Sequence, residues 1–282
     1  MDICCIVKTR DDSFFRNVLE QIMRILLCGD IVGQPGRDVL EKYISIYRND
    51  VDLIVANVDN VAHGFGITPT FASRLFDMGV DVLTGGNHIT DKKEIFPMLV
   101  SDNRILKPEN TSDKIPGNGF TCVTAKNGQS VLVIHLLGQK DMPFPGDNPF
   151  RCADRILKNY QLGQNVAAIV VDFHAETTSE KKAMGFFLDG RVSVVVGTHT
   201  HIPTSDYYIL EHGTAYQTDL GMIGDYNSVI GMQKEICVER FVSGFSFSRL
   251  MPTQGPGTFF ATLVTVDEKT GLAIDIQQIK GS

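Results

Sequence analysis

Runs of consecutive apolar residues, each closed by a small or polar residue, recur along the chain. Arg24-Ile25-Leu26-Leu27-Cys28-Gly29-Asp30 is one. Its near-continuous hydrophobicity, rather than alternation, predicts a strand buried on both faces. Val51-Asp52-Leu53-Ile54-Val55-Ala56-Asn57 predicts a second, residues 81–84 a third, and later strands end at Val171-Asp172-Phe173-His174 and Val194-Val195-Val196-Gly197-Thr198-His199. Helices intervene. A turn rich in Gly33, Pro35 and Gly36 opens one near residues 37–48, Thr68-Pro69 supplies an N-cap and first-turn proline for one running to about Met78, and another starts near Asp91. Residues 120–136 predict a hairpin around Asn127-Gly128. Towards the C-terminus the pattern becomes mostly β, over 206–219, 257–266 and 271–279. The alternation predicts a layered α/β domain. With no internal repeat or low-complexity linker, residues 23–282 are read as one domain. Residues 1–22 lack the pattern and are read as an N-terminal extension. Its stretch 13–22 is either a short amphipathic helix or part of an appended tail, and Met23 reads as a start in its own right.

Composition narrows this picture. A 282-residue chain with 43% hydrophobic residues buries enough surface to hold itself together without disulfides or a structural metal, so a metal here is functional. The net charge of -7 argues against a broad nucleic-acid-binding face and predicts no stable nucleic-acid complex, while leaving a small nucleotide ligand open. Six cysteines without a Cys-x-x-Cys pair predict free thiols in a reducing compartment. No apolar run approaches the ~20 residues of a membrane span, and the first residues are too short and wrongly flanked for a signal peptide. A cytoplasmic protein without membrane contact is expected, and symmetric homo-oligomerisation is the default association.

Candidate chemistry gathers where the predicted strands end: Asp30, Asp59-Asn60, Asn87-His88, His174, and His199-Thr200-His201. In open α/β sheets, loops converge at the carboxyl ends of strands. His199 and His201 alternate by two and are expected to project to one side of an extended segment. Oxygen and imidazole donors without thiolate suit manganese, iron or zinc. Two ions about 3.5–4 Å apart would acidify a water and clamp a phosphoryl group. Gly33-Gln34-Pro35-Gly36-Arg37 lacks the Gly-Lys-Ser/Thr ending of a phosphate loop, and Pro69 stands where a dinucleotide fingerprint starting at Gly64 needs its third glycine.

Gly29-Asp30-Ile31-Val32-Gly33, Ala56-Asn57-Val58-Asp59-Asn60, Gly86-Asn87-His88, Asp172-Phe173-His174-Ala175-Glu176 and Gly197-Thr198-His199-Thr200-His201 stand in this order. Together they resemble the calcineurin-like metallophosphoesterases, most closely their bacterial YmdB-type branch, over nearly all of residues 23–282. The stretch Asp172 to Glu180 selects the branch. The resemblance implies an α/β fold, a two-sheet β-sandwich flanked by helices in four layers. It also implies two divalent metal ions, iron or manganese ahead of zinc. Asp30, Asn60 and His201 would hold one ion, and Asn87, His174 and His199 the other. Asp59 would bridge them, and His88 would act as general acid. The implied activity is phosphodiester hydrolysis of small nucleotides, best 2′,3′-cyclic nucleoside monophosphates, by a metal-bridging hydroxide that leaves a 3′-nucleotide. The rivals are a phosphomonoesterase or phosphoprotein phosphatase, and a regulatory protein of RNA turnover with weak phosphodiesterase activity.

Three positions depart from these patterns. Val32 stands where the wider superfamily has a histidine, Asp59 where the branch usually has glutamate, and Thr90 where the branch often has an aromatic residue. His63, His135 and His212 have no implied role, and His63 is read as loop structure. The proline-rich loop 142–150 is read as a rigid connector or as a wall over the nucleotide base, with Phe144 or Phe150 stacking. Gly221 to Gly224 is read as a tight turn or part of the pocket rim.

Overall fold

The computed structural model describes residues 21–282 apart from Pro145 and Ser246. In chain order its elements are β1 (Ile22–Ile31), α1 (Gly33–Tyr47), β2 (Leu53–Asn57), α2 (Pro69–Asp77), β3 (Val82–Thr84), a 3-10 turn at Lys93–Ile95, α3 (Phe96–Ser101), β4 (Ile105–Leu106), β5 (Phe120–Thr124), β6 (Ser130–Leu137), α4 (Pro149–Leu157), β7 (Ala168–His174), α5 (Thr178–Leu188), β8 (Val194–Thr198), β9 (Tyr208–Ile209), β10 (Ala215–Gln217), β11 (Met222–Ile223), α6 (Lys234–Ser243), β12 (Phe259–Asp267) and β13 (Ala273–Gly281).

The strands form two sheets. One runs β13-β12-β1-β2-β3-β4, with β11 pairing β1; the other runs β5-β6-β7-β8-β10-β9. Strand parity explains the stacking, because successive side chains leave a strand on opposite faces. Ile25, Leu27, Leu53 and Val55 of the first sheet meet Val131, Val133, Val170 and Val194 of the second in an inter-sheet core. The intervening residues face outward: Leu26, Ile54 and Ala56 against Leu40, Ile44 and Leu75 of α1 and α2, and Leu132, Ile169 and Val171 against Ile156, Met184 and Leu188 of α4 and α5. The result is the four-layer, two-sheet sandwich flanked by helices that the motifs imply.

Local differences have local causes. α1 begins at Gly33 rather than near residue 37, because Pro35 falls within its first turn, where a backbone N–H has no helical partner to lose. The helix expected near Asp91 begins with the 3-10 turn at Lys93, and the Asp91 side chain turns back to His88. Gly221 is a turn at φ +78°, but Met222 and Ile223 form a strand parallel to the end of β1. Phe150 lies in the first turn of α4 and packs against Phe187 at 5.5 Å between ring centroids. Of the stretch 13–22, only Gln21 and Ile22 fall among the described residues. Ile22 opens β1 opposite Asp267, and the Gln21 carbonyl accepts from the Glu268 amide. The helix expectation otherwise lies outside the described residues.

Candidate metal centre

β1, β2 and β3 run parallel, as do β7 and β8, so their carboxyl ends deliver side chains to one edge of the sandwich. Gly29 lets β1 and the Gly221 turn close on each other: a Cβ there would stand 1.9 Å from the Gly221 carbonyl oxygen, which accepts the Asp30 amide at 3.2 Å. Gly86 makes room for the site itself. A Cβ at this position would lie 2.6 Å from both Asp59 Oδ1 and His174 Nε2.

Four of the expected ligands meet first. Thr198 Oγ1 donates its proton to Asp172 Oδ1 at 2.7 Å, so it accepts from His174 Nδ1 at 2.9 Å. With the ring neutral, as a metal ligand requires, this leaves Nε2 of His174 as a bare lone pair. It faces Asn87 Oδ1 at 3.1 Å, Asp59 Oδ2 at 3.3 Å and His199 Nδ1 at 3.1 Å. Burial lowers the His199 pKa to about 3, so its ring is neutral. Its one proton belongs on Nε2, 3.1 Å from Glu176 Oε2, which leaves a second lone pair at Nδ1.

The other three lie alongside. His201 Nδ1 donates to the Ile230 carbonyl at 2.8 Å, leaving Nε2 bare, 3.1 Å from Asn60 Oδ1 and 3.8 Å from Asp30 Oδ1. Asn60 is oriented by its Nδ2 donating to the Gly64 carbonyl at 2.9 Å. Asp30 Oδ2 accepts the His199 amide at 3.0 Å, and Asp30 Oδ1 is buried with no hydrogen-bond partner among the described residues.

Nitrogen and oxygen lone pairs thus converge in two adjoining groups. They repel one another unless positive charge lies among them. Burial, then the nearby Asp219, pushes the Asp30 carboxyl well above its usual range, a shift that a bound cation reverses. Among the described residues no three His, Cys, Asp or Glu side chains form a ready-made ligand cluster. Each group here includes an amide oxygen, from Asn87 or Asn60. The donor set fits divalent cations that accept oxygen and imidazole ligands.

His199 and His201 converge by a route other than the expected extended segment. β8 ends at Thr198, and both histidines have left-handed backbones, φ +101° and +65°. Such conformations are uncommon for non-glycine residues and cost energy that the surrounding contacts must offset. The buried Lys181–Asp219 pair, at 2.6 Å, supplies an anchor, with Asp219 Oδ2 accepting from the Thr200 amide at 3.2 Å and hydroxyl at 2.7 Å.

His88 stands beside the first group. Its amide donates to Asp59 Oδ1 at 2.8 Å, its Nδ1 contacts Asp91 Oδ2 at 2.8 Å, and its ring meets the edge of Phe65 at 5.0 Å. Several supporting residues carried no role in the sequence reading. Asn57 links Asp172, Thr198 and the Asp59 amide. Asp172 also accepts from Thr84 at 2.6 Å, and buried His135 lies 3.4 Å from its carboxylate. Asn57 and Asp172 stood inside quoted motifs, and Asp91 lies three residues after His88, which is the signal that would have singled them out. Asp219 has no local signal. His63 lies in a loop with φ +56°, and His212 is exposed and paired with Asp189 at 2.9 Å. Val32 is the N-cap residue of α1 and leaves no imidazole at that position. A cavity of about 180 Å³ adjoins Asn87, lined by Ile89, Thr90, Ile115, Leu137 and Phe144.

A "2′,3′-cyclic-nucleotide 2′-phosphodiesterase" from Bacillus subtilis (strain 168) is 40% identical over 259 residues, covering 91% of this chain and 96% of that protein. A hypothetical protein from Thermus thermophilus superposes with a TM-score of 0.85 at 36% identity, covering 92% of this chain and 99% of its own. A crystal structure described as a novel phosphatase, from Mycoplasma pneumoniae, gives 0.85 at 29% identity, covering 92% and 93%. The chain is a phosphodiesterase of the metallophosphoesterase fold, and the family implies dependence on divalent metal. Residues 26–279 match the family described as YmdB-like protein, and the chain belongs to that family.

Proposed function

We propose that the chain hydrolyses 2′,3′-cyclic nucleoside monophosphates to 3′-nucleotides, using two divalent ions, iron or manganese ahead of zinc. The observation that carries this reading is the pair of adjoining lone-pair groups with His88 beside them. Asp30, Asn60 and His201 would hold one ion and Asn87, His174 and His199 the other, with Asp59 between them. When bound, such ions lower the pKa of water and neutralise phosphoryl oxygens. The name of the Bacillus subtilis relative supports the substrate class.

The chain's own groups take the remaining tasks. As the oxygen of water bonds to phosphorus and the bond to the 2′ oxygen breaks, His88 gives that oxygen a proton from Nε2, with Asp91 holding its Nδ1. The cavity beside Asn87 accepts the base, with Phe144 as its wall. Free thiols at Cys28, Cys122, Cys152 and Cys237 support a cytoplasmic setting. Among the described residues no helix is long and apolar enough to cross a membrane.

A panel of 2′,3′-cyclic, 3′,5′-cyclic and monoester nucleotides, assayed with each added ion, tests the reading. The 2′,3′-cyclic esters are expected to give the highest kcat/KM. A clear preference for monoesters overturns it. Metal analysis of protein purified without chelator is expected to find about two ions per chain, and less than about one counts against the paired scheme.

A further inference from the structure

A larger cavity, of about 660 Å³, has a charge that differs from the rest of the molecule. The chain carries a net charge of -7, yet this cavity is lined by Arg37, Arg240, Arg249, His63, Gln34 and Gln254, with no aspartate or glutamate among the described residues of its wall. Phe65 lines it too and joins it to the chemistry, because the same ring meets the His88 imidazole at 5.0 Å. Its floor is continuous with the ligand loop: the Gly33 amide donates to the Asn60 carbonyl at 3.1 Å, and Gly64 packs against Pro252.

Two of the guanidiniums are held in place. Arg37 is buried, donates to the Val61 carbonyl at 2.7 Å and lies over the Phe71 ring at 4.2 Å, a contact that uses one of its five donors. Arg240 donates from Nη2 to the Ser248 carbonyl at 2.7 Å, while its Nε is buried with no hydrogen-bond partner among the described residues. Planar, fixed guanidiniums match phosphate oxygens in a way that a flexible ammonium does not. The scissile phosphate would sit at the ligand groups, so the guanidiniums lining this cavity are left for a different anion on the same ligand.

We infer that this cavity binds a second phosphate of the substrate, one ester-linked to the nucleoside apart from the scissile cyclic diester. The inference rests on the proposed cyclic-nucleotide reading and extends it. The preferred substrate carries a phosphate at its 5′ position, either a terminal 5′-phosphate or the internucleotide phosphate of a short oligonucleotide end. Both present the same anion to Arg240 and Arg249.

The test compares adenosine 2′,3′-cyclic phosphate with its 5′-phosphorylated form and with the dinucleotide ApA ending in a 2′,3′-cyclic phosphate. The second phosphate is expected to raise kcat/KM about tenfold, mainly through KM, and the gain should shrink with added salt. In the double variant Arg240→Gln/Arg249→Gln the ratio between phosphorylated and unphosphorylated substrate should fall towards one. A gain with the 5′-phosphorylated nucleotide alone assigns the cavity to a terminal phosphate; a gain with the dinucleotide assigns it to an internucleotide one. Equal kcat/KM for all three substrates, or a gain unchanged in the double variant, overturns the inference. Calorimetry with adenosine 3′,5′-bisphosphate and adenosine 3′-phosphate separates this from the activity reading. If no cyclic ester is hydrolysed but the bisphosphate binds more tightly and loses that advantage in the double variant, the cavity assignment stands and the cyclic-nucleotide reading falls. If the bisphosphate has no advantage, the cavity assignment falls.

Discussion

His88 and Gly86 occupy neighbouring positions and should fail in different ways. Replacing His88 with alanine removes the proton donor but none of the converging lone pairs, so kcat should fall about 10²- to 10⁴-fold with metal content retained. Loss of the metals instead would place His88 among the ligands. Asp91→Asn keeps the size of the group on His88 Nδ1 but removes its charge; we expect kcat to drop about tenfold with the melting temperature unchanged, a loss smaller than that of a general acid. Gly86→Ala acts by volume. Its methyl group would press on Asp59 Oδ1 and His174 Nε2 at 2.6 Å, so metal per chain, measured after purification, should fall sharply in a folded protein. The donor types at Asp30, Asn87 and His174 could be read from the chain, because buried strands ending in polar residues are a local pattern. Which nitrogen of each imidazole is bare could not. That depends on Thr198, Glu176 and Ile230, which the fold brings to the rings.

Most elements were legible wherever hydrophobicity was continuous, as in β1, β2, β7 and β8, or where caps were explicit, as at Thr68-Pro69 before α2, whose first turn the Thr68 side chain closes at the Phe71 amide. Loops were not. The segment after β8 reads as extended by spacing yet folds through two left-handed histidines, because contacts with Asp30 and Asp219 outweigh the local preference. The turn after α5 offers a test of loop electrostatics away from the site. Burial raises the Asp189 pKa, but hydrogen bonds from the His212 and Thr214 amides and the His212 ring outweigh it, so the net shift is downward. The hydrogen bond to Asp189 raises the His212 pKa. A lowered carboxyl contributes stability above its unfolded pKa and loses it as pH falls through the folded value. A raised imidazole contributes below its unfolded pKa and loses it as pH rises through the folded value. Their joint contribution is therefore greatest between roughly pH 4 and 6.5. Urea midpoints of Asp189→Asn should lie furthest below those of the parent in that window, converge with them at lower pH as Asp189 protonates, and recover only in part at higher pH, where the imidazole is neutral but the amide hydrogen bonds to the carboxylate remain.

For the whole molecule, ions that bind the native state and not the unfolded chain must raise its stability by mass action, about 2.7 kcal/mol at a free concentration one hundred times Kd. Chelated protein should melt at a lower temperature, and titrating manganese back should raise the transition progressively. A transition insensitive to both would mean that the lone-pair groups hold no ion. The sequence by itself determined the layers and the donor inventory: apolar runs commit strands to burial on two faces, parity divides their side chains between cores, and polar residues at strand ends have only one edge to occupy. Only the tertiary structure decided how the donors are aimed, that Asn57 and Asp172, 115 residues apart, brace them, and that an arginine-lined cavity opens beside His88. Hydrophobic period is a local property of the chain, whereas side-chain direction and cavity charge arise from groups that become neighbours only when the two sheets close on each other.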